Sequence, residues 1–270
     1  MNDEQKFKIK KNYEKNGYVL LKKIIDHKIC DQAIDFKKKL NSKLTIPFSN
    51  IPYGFGDVRD TYPYSEIANN PLIYDVAKSL INFEIEMSHF LLVNKAAWIG
   101  PDVEWHQEVF NLQIYAPGCD PNKEWKNFLQ VFIAIDPHDK INGCLKVFEG
   151  SHKEGMLEYE DIVNINCSHK RRVSVEALNK ISKKYRIVDI EMEPGDALFF
   201  NHLLVHGSPS NLSPHSRLSA LMQFYKKNLE FKTEKFSEYS NFRAKFVTDW
   251  LNLSLKKIEE YKKKLEDFKK

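Results

Sequence analysis

The sequence predicts an α+β chain that is mainly β with flanking helices, folded as a cupin-like jelly roll (a double-stranded β-helix). Two observations predict this class. From residue 84 onward, short runs of β-branched and aromatic residues are separated by turns of Pro, Gly, Asn and Asp. No helical pattern alternates with these runs, as it would in a parallel sheet, so the strands are expected to pair antiparallel.

The chain before these runs predicts a helical region, 1–82, that leads into the sheets. A polar stretch at 3–16, a short strand at 17–21 and a second helix that Asp26 can cap form its entrance. Apolar spacing predicts a further helix from about Pro71 to Leu80.

Residues 41–65 carry prolines and glycines interleaved with aromatic residues. This composition predicts a loop rather than a helix. A loop of this length is either a lid over a site or a well-packed crossover, and the sequence leaves both open.

The jelly-roll core is expected at about 84–225. Its strand signals lie at 84–93, 110–115, 128–135, 144–148, 186–191, 196–200, 203–206 and 216–225. Apolar residues at helical spacing then predict a carboxy-terminal helical extension, 226–270, packed on the body. Together these parts are expected to form one domain over residues 1–270.

The basic charge of the chain is concentrated in this extension. Residues 226–270 hold 13 Lys or Arg and 8 Asp or Glu, a net charge of +5, whereas the whole chain carries +4. The segment with the motifs is therefore close to neutral. The lysines are interpreted as a solvated face, and a nucleic-acid partner is not favoured.

Cysteine usage and hydropathy set the expected compartment. Cys30, Cys119, Cys144 and Cys167 form no CxxC pair, so reduced thiols are expected. No apolar run approaches the roughly 18 residues that span a bilayer, and the charged start lacks a secretory signal. A cytoplasmic protein without a membrane partner is the expectation, and nothing in the sequence specifies an oligomeric state.

A candidate metal site combines the segment Trp105-His106-Gln107-Glu108 with a distant histidine, His206. Residues i and i+2 of a strand point to one face, so His106 and Glu108 are expected to point together into the mouth of the barrel. Two imidazoles and one carboxylate form the facial triad of non-haem Fe(II) oxygenases and leave adjacent coordination positions open. Alone, the HxE pattern is a weak signal in a chain with nine histidines.

Arg217 strengthens this interpretation because it follows His206 by eleven residues, on the next expected strand. A guanidinium can hold a planar carboxylate with two hydrogen bonds, and it suits a partly buried site. An ordinary salt bridge to Asp or Glu is the alternative interpretation of this arginine.

Several ordered motifs resemble the phytanoyl-CoA dioxygenase family of Fe(II)- and 2-oxoglutarate-dependent oxygenases. They are NGCLKVFEGSHKEG at 142–155, PGDALFFNHLLVHGSPSN at 194–211 and the following Ser216-Arg217. The amino-terminal FKIKKNYEKNGYVLLKKIIDH is similar to that family's opening, and WHQE stands where the family usually has WHQD or WHxD. The resemblance covers about residues 7–225.

The resemblance implies a role for each matching residue. His106, Glu108 and His206 would bind iron, and Arg217 would hold the distal carboxylate of 2-oxoglutarate. Ser208 would lie beside that carboxylate. Further positions that could touch the cosubstrate are Asn94, Gln107 and Phe132.

Glu108 departs from the family pattern, which usually has aspartate at this position. Either side chain offers a carboxylate oxygen suited to a hard divalent metal, so a working triad with slightly shifted geometry is expected. The resemblance also argues against a halogenase, because such relatives carry Gly or Ala in place of this carboxylate.

Other polar residues have competing interpretations. Asn94 could equally be a turn residue that closes a strand. His152 in the GSHK turn is interpreted as structural, and His202 as an outward-facing strand residue rather than one beside the site. The chain has no GxSxG elbow and no glycine-rich phosphate loop, which speaks against a hydrolase or a nucleotide-binding enzyme.

The function implied by the resemblance is the coupling of 2-oxoglutarate decarboxylation, with O2, to hydroxylation of a C–H bond, with release of succinate and CO2. Desaturation, ring closure or epimerisation are other outcomes of the same chemistry. Tyr53, Arg59 and Tyr62 would suit a small polar or acidic metabolite, or would merely pack the loop. Two other functions are considered: a cupin-like protein that binds a metal or ligand without turnover, and an oxygenase that acts on a macromolecule.

Overall fold

The computed structural model describes residues 1–43, 59–111, 120–162, 171–227 and 229. Most of the aromatic loop, most of the second strand signal and nearly all of the carboxy-terminal extension lie outside this part of the chain. The expectations of a lid and of an amphipathic tail helix therefore fall on residues that the structure does not describe.

The chain divides into two compact units. The first consists of residues 1–113 and 119–229, and the second of 114–118 and 230–270. Every described residue belongs to the first unit, so a single domain over 1–270 stays a prediction.

Helices flank the sheets mainly at the amino-terminal end. The helices of the described part are α1 (Asp3–Asn16), α2 (His27–Lys43), α3 (Tyr64–Ala68), α4 (Pro71–Ile81), α5 (Pro121–Glu124) and α6 (Val175–Ser182). Its strands are β1 (Tyr18–Leu21), β2 (Ile85–Lys95), β3 (Val103–His106), β4 (Phe128–Ala134), β5 (Leu145–Phe148), β6 (Tyr159–Asp161), β7 (Arg171–Val173), β8 (Ile187–Ile190), β9 (Ala197–Phe200), β10 (His206–Ser208) and β11 (Arg217–Lys226).

Strand pairing produces two sheets and a separate hairpin. The five-stranded sheet has the order β1-β9-β4-β11-β2, and the four-stranded sheet has the order β3-β10-β5-β8. Both contain only antiparallel pairs, and β6 pairs with β7. The predicted class, mainly β with flanking helices, is confirmed.

Strand β11 shows how alternation of side chains builds two cores. Its helix-facing residues, all fully buried, are Leu218, Ala220, Met222 and Phe224. Leu221 points the other way and packs in a second core with Phe132 of its own sheet and Val147 of the four-stranded sheet. The five-stranded sheet is therefore the middle layer, with helices on one face and the second sheet on the other.

The amino-terminal helix is fixed at both ends by local chemistry. In a capping box, Asn2 Oδ1 accepts from the Gln5 main-chain N–H at 2.9 Å, and Gln5 Oε1 accepts from that of Asn2 at 3.0 Å. The helix ends at Gly17, whose φ is 83° and where a Cβ would lie 2.5 Å from His152 Nδ1. His152 Nε2 lies 3.1 Å from the carbonyl oxygen of Glu14, so the structural interpretation of this histidine is confirmed.

Two segments differ from the expected elements. Residues 203–205 form a buried turn rather than a strand, because Asn201 Oδ1 accepts from the Leu203 main-chain N–H at 2.8 Å and bends the chain. Strand β10 starts only at His206. Helix α2 continues to Lys43, inside the region expected to be a loop.

The hairpin β6–β7 and helix α6 interrupt the region that was expected to be all β. Ser174 caps α6, since its Oγ accepts from the Ala177 main-chain N–H at 3.2 Å. Ala177 and Ile181 are the buried positions of α6, four residues apart. This spacing of four residues is typical of a helix and could have predicted α6 from the sequence.

The two described cysteines, Cys30 and Cys144, are buried free thiols, as expected. Burial raises the pKa of Cys30 to about 12 and that of Cys144 to about 11, so both stay protonated. Cys119 and Cys167 lie outside the described residues. Among the helices of the described part, none has the length and hydropathy needed to cross a membrane.

Candidate metal centre

Three side chains that are far apart in sequence meet at one point. The ligand atoms of His106, Glu108 and His206 all lie within 4.8 Å of one another. Glu108 Oε1 is 3.3 Å from His206 Nε2 and 3.8 Å from His106 Nε2. Both histidines are buried, with 3% and 5% of their surface exposed. The structure thus brings together all three residues that the sequence singled out as metal ligands.

The two histidines are held by neighbouring strands. His106 ends β3 and His206 begins β10, and the two residues are direct partners in the four-stranded sheet. Their rings lie on the same face because paired residues of an antiparallel ladder point the same way. The ring centroids are 4.2 Å apart.

Glu108 joins the histidines by a turn and not by strand alternation. Strand β3 stops at His106, and Glu108 opens a 3-10 helix, Glu108–Asn111. The convergence was therefore predicted correctly but for the wrong geometric reason.

Gln107 fixes this turn. Its buried amide nitrogen donates to the carbonyl oxygens of Gly155, at 2.9 Å, and Leu203, at 2.6 Å. Its amide oxygen accepts from the Leu157 main-chain N–H at 2.9 Å. Because main-chain groups occupy this amide, Gln107 anchors the turn that carries Glu108.

The outer ring nitrogens of both histidines make equivalent contacts. His106 Nδ1 lies 2.7 Å from the carbonyl oxygen of Glu104, and His206 Nδ1 lies 2.9 Å from that of Leu204. A carbonyl only accepts, so each Nδ1 carries the hydrogen and each Nε2 keeps its lone pair toward the centre. This is the form of histidine that binds a metal, and the donor set of two imidazole nitrogens and one carboxylate oxygen fits a divalent ion such as Fe(II).

The protonation states agree with this fit. Burial alone would raise the pKa of Glu108, but the adjacent rings of His106 and His206 hold it well below its usual range. Burial lowers the pKa of His206, and the neighbouring His106 lowers it further. The cluster therefore offers a carboxylate without first having to lose a proton from it.

Arg217 is buried at the start of β11, with 1% of its surface exposed. Its Nη1 donates to the carbonyl oxygen of Gly143, and its guanidinium lies 5.8 Å from the centre of the Phe132 ring. Burial raises the pKa of nearby Asp136, and the charge of Arg217 offsets part of this rise. A buried guanidinium beside an aromatic ring is suited to an anion held away from water.

Ser208 and Asn94 are located differently with respect to Arg217. Ser208 lies two residues after His206 on β10 and is 8% exposed. Asn94 lies within β2 opposite Leu218, on the helix-facing side of the sheet, and its Oδ1 accepts from Lys37 Nζ at 2.5 Å. The interpretation of Asn94 as a turn residue is wrong, and its side chain faces the helical layer rather than the side of Arg217.

His202 is a second correction. Its side chain is fully buried, not outward-facing, and its ring packs 5.2 Å from that of Phe128. Its Nε2 lies 3.3 Å from Gln223 Nε2. Burial lowers the pKa of His202 to about 4, although the charge of Glu108 acts in the opposite direction. This histidine is therefore a neutral neighbour of the metal centre.

Two buried lysines were missed by sequence reasoning. Lys95 is 1% exposed and Lys37 is 8% exposed. Lys95 ends an apolar strand, where a charge is unusual, and this was the available signal. Lys37 carries no such signal, because it precedes two further lysines on an amphipathic helix.

An open surface pocket of about 500 Å³ lies along the hairpin that follows the metal segment. It is lined by Met156, Leu157, Glu158, Tyr159 and Ser174. The Leu157 main-chain N–H, in the lining of this pocket, donates to Gln107. Gln107 stands between His106 and Glu108 in the sequence, so the lining is joined directly to the metal-binding segment.

Two histidines and a glutamate that converge on a cupin-like double sheet define a class of protein. The arrangement is typical of mononuclear non-haem iron oxygenases. Comparison with known proteins agrees with this class and narrows it.

The model of the phytanoyl-CoA dioxygenase (PhyH) family matches residues 13–219. The chain therefore belongs to the phytanoyl-CoA dioxygenase family. A probable phytanoyl-CoA dioxygenase of Caenorhabditis elegans is 24% identical over 221 residues, which cover 74% of this chain and 68% of the relative.

Solved structures show the same fold at low sequence identity. EctD from S. alaskensis, crystallised with 2-oxoglutarate and 5-hydroxyectoine, has a TM-score of 0.65 and 18% identity, with 86% of this chain and 78% of EctD covered. The epimerase SnoN, in complex with Fe3+, alpha ketoglutarate and nogalamycin RO, has a TM-score of 0.64 and 14% identity, with 83% and 85% covered. Family and fold together indicate an iron- and 2-oxoglutarate-dependent oxygenase.

Proposed function

We propose that this protein is an Fe(II)- and 2-oxoglutarate-dependent dioxygenase that oxidises a C–H bond of a small metabolite, most commonly by hydroxylation. His106, Glu108 and His206 are the metal ligands in this proposal. The observation that carries it is the convergence of their three ligand atoms within 4.8 Å in a buried site. Bound iron and 2-oxoglutarate supply the oxidising chemistry, in which O2 is consumed and succinate and CO2 are released.

The contribution of the chain is to bind and orient. Two neutral imidazoles and one carboxylate would hold the metal, and a set of three protein ligands would leave room on it for the cosubstrate and O2. The hydrogen bonds of Nδ1 to the carbonyls of Glu104 and Leu204 fix the orientation of both rings, so each Nε2 would already face a metal bound there. Gln107 fixes the turn that presents Glu108.

Arg217 holds the distal carboxylate of 2-oxoglutarate in this proposal. Its guanidinium is buried, so a charge-assisted pair there is screened little by water. Ser208 lies two residues beyond the metal-binding His206 and is assigned beside the same carboxylate.

We assign the substrate to the open surface pocket along the β6–β7 hairpin, whose Leu157 is hydrogen-bonded to Gln107. Its wall combines apolar Met156, Leu157 and Tyr159 with polar Glu158 and Ser174, which suits a small molecule with both kinds of surface. The earlier candidates Arg59 and Tyr62 are engaged elsewhere. Arg59 donates to the carbonyls of Met87 and Ser88, and the Tyr62 hydroxyl donates to Gln32.

The decisive experiment measures succinate from purified protein with Fe(II), 2-oxoglutarate and O2, alone and with a panel of metabolites. We expect slow succinate formation alone, and faster formation coupled to an oxidised product with the true substrate. Omission of iron or O2 should abolish both signals. Metal binding without any succinate across the panel would instead support a binding protein without turnover.

A further inference from the structure

Two parts of the proposed site belong to different sheets. His206 lies on β10 of the four-stranded sheet, whereas Arg217 begins β11 of the five-stranded sheet. A diacid that binds the metal at one end and the guanidinium at the other must span both sheets. Its affinity therefore depends on a fixed separation of the two sheets at this edge.

Lys95 links the two sheets at this edge. It ends β2 directly opposite Arg217, so both side chains point from the five-stranded sheet toward the other one. Its Nζ donates to the carbonyl oxygen of Ser208, at 3.3 Å, and to that of Pro209. These carbonyls come two and three residues after His206.

Gly143, in the turn that precedes β5 of the four-stranded sheet, completes the same contact. Its carbonyl oxygen accepts from Arg217 Nη1. A Cβ at Gly143 would lie 2.4 Å from the carbonyl oxygen of Pro209 and 3.3 Å from Lys95 Cδ, and its φ of 79° also favours glycine. Asn211 adds a further bond, because its Nδ2 donates to the carbonyl oxygen of Lys95 at 3.1 Å.

A buried lysine is a costly way to stabilise a fold. Its amine loses hydration, and an apolar side chain of similar length would pack without that loss. Unlike methionine, lysine offers N–H donors. Those of Lys95 hold the segment after His206 close to β2 and to its partner strand β11, which begins at Arg217.

We infer that Lys95 is a positioning residue for the cosubstrate, and this rests on the proposed function. It sets the distance between the metal-binding strand and the guanidinium by tying β2 to the carbonyls of Ser208 and Pro209. A ligand that uses both ends of this span depends on Lys95, whereas a ligand that binds the metal alone does not.

The test compares two ligands on Lys95→Met, with Mn(II) in place of iron and calorimetry as the readout. 2-Oxoglutarate has both the chelating keto acid and the distal carboxylate, and 2-oxobutyrate has only the former. We expect the dissociation constant for 2-oxoglutarate to rise about tenfold, the size of one lost charge-assisted hydrogen bond. That for 2-oxobutyrate should change less than about twofold, since no second anchor is involved.

Two further variants separate positioning from folding. Lys146→Met makes the same change on β5, the partner of β10 in the four-stranded sheet, at a half-buried lysine paired with Asp189, and should alter neither constant. Lys95→Arg keeps donors at the site and should recover part of the loss. The ratio of the two constants does not depend on the fraction of folded protein, so a destabilised variant still gives an answer.

Equal changes for both ligands in Lys95→Met, or no change, would overturn the inference while leaving the proposed function intact. Failure of the wild-type protein to bind 2-oxoglutarate with metal would overturn both.

Discussion

The two faces of the five-stranded sheet have opposite character although they share the same strands. The face toward the helices carries apolar residues at nearly every position, and Asn94 is a polar exception that is matched by Lys37. The face toward the four-stranded sheet mixes apolar residues with buried polar ones, which include Lys95, Gln130, Arg217, Ser219 and Gln223.

This difference separates stability from function within one layer. Burial of apolar surface needs no exact partner, so the helix-facing side tolerates conservative exchange. Each buried polar group on the other side needs a specific partner, as Ser219 has in His138, at 3.1 Å, and Gln223 has in Ser88, also at 3.1 Å. Substitutions on the apolar face should therefore mainly lower stability, whereas substitutions on the polar face should mainly impair function.

The largest effect is expected at the metal centre beyond the polar face. Glu108→Ala removes the carboxylate ligand, so affinity for Fe(II) or Mn(II) should fall more than about 100-fold, since lost outer partners alone cost about 10–100-fold. Succinate formation should become undetectable while the protein stays folded. His215→Ala, at an exposed histidine, is the matched control. Unchanged metal affinity in Glu108→Ala would contradict the assigned triad.

On the apolar face, Phe224→Ala should mainly cost stability. Phe224 is fully buried and packs edge-on against Tyr74, with ring centroids 5.1 Å apart. Loss of the ring should lower the free energy of unfolding by about 3–5 kcal/mol, measured by urea titration. Metal affinity per folded molecule should stay within about twofold of wild type, because Phe224 faces away from the centre. A large loss of metal affinity in the folded fraction would show that the two faces are not independent.

On the polar face, Arg217→Met should raise the KM for 2-oxoglutarate by about 100-fold, the value of two charge-assisted hydrogen bonds. Metal affinity should not change, since the guanidinium is not a ligand. Lys226→Met, which removes a charge above the Phe83 ring at the other end of β11, serves as the control. An unaltered KM in Arg217→Met would exclude the assigned carboxylate clamp.

The smallest effect is expected at Lys37, the partner of Asn94 on the helix-facing side of the sheet. Burial lowers the pKa of Lys37 below 10.5, and the charge of Asp136 offsets part of this effect. At a pH between the lowered pKa of Lys37 in the folded protein and 10.5, its value in the unfolded chain, the unfolded chain binds more protons than the folded protein. Lys37 therefore makes the folded wild type more stable as the pH rises toward 10.5.

Lys37→Met should lack this rise. The difference in free energy of unfolding, wild type minus variant, is expected to increase from pH 8 to pH 10 in urea titrations. Lys38→Met, at an exposed lysine of the same helix that pairs with Asp35, should show no such trend. A difference that is constant with pH would indicate that Lys37 is not perturbed by burial.

The apolar face was largely predictable from the sequence, and the polar face only where a motif marked it. Short apolar runs bounded by turn residues predicted strands such as β4 and β9, because every residue of these two strands is buried. His106, Glu108 and His206 were found by ordered motifs.

Buried polar residues without a motif could not be recognised in the same way. In one sequence a buried Lys37 or His202 looks like a surface residue, because its partners, Asn94 and Gln223, come from distant segments. The path of the chain at Gln107 was also hidden, since three main-chain groups from 155, 157 and 203 determine it.

The order of strands in the central sheet has a consequence for biosynthesis. Strand β1, near residue 20, pairs with β9, near residue 198, and β2 pairs with β11, which ends at Lys226. A nascent chain emerging from the ribosome therefore carries unpaired edges until most of its length has been translated. Refolding should be slow and prone to aggregation, and a truncation before β11 should leave the five-stranded sheet without the strand that joins β4 to β2.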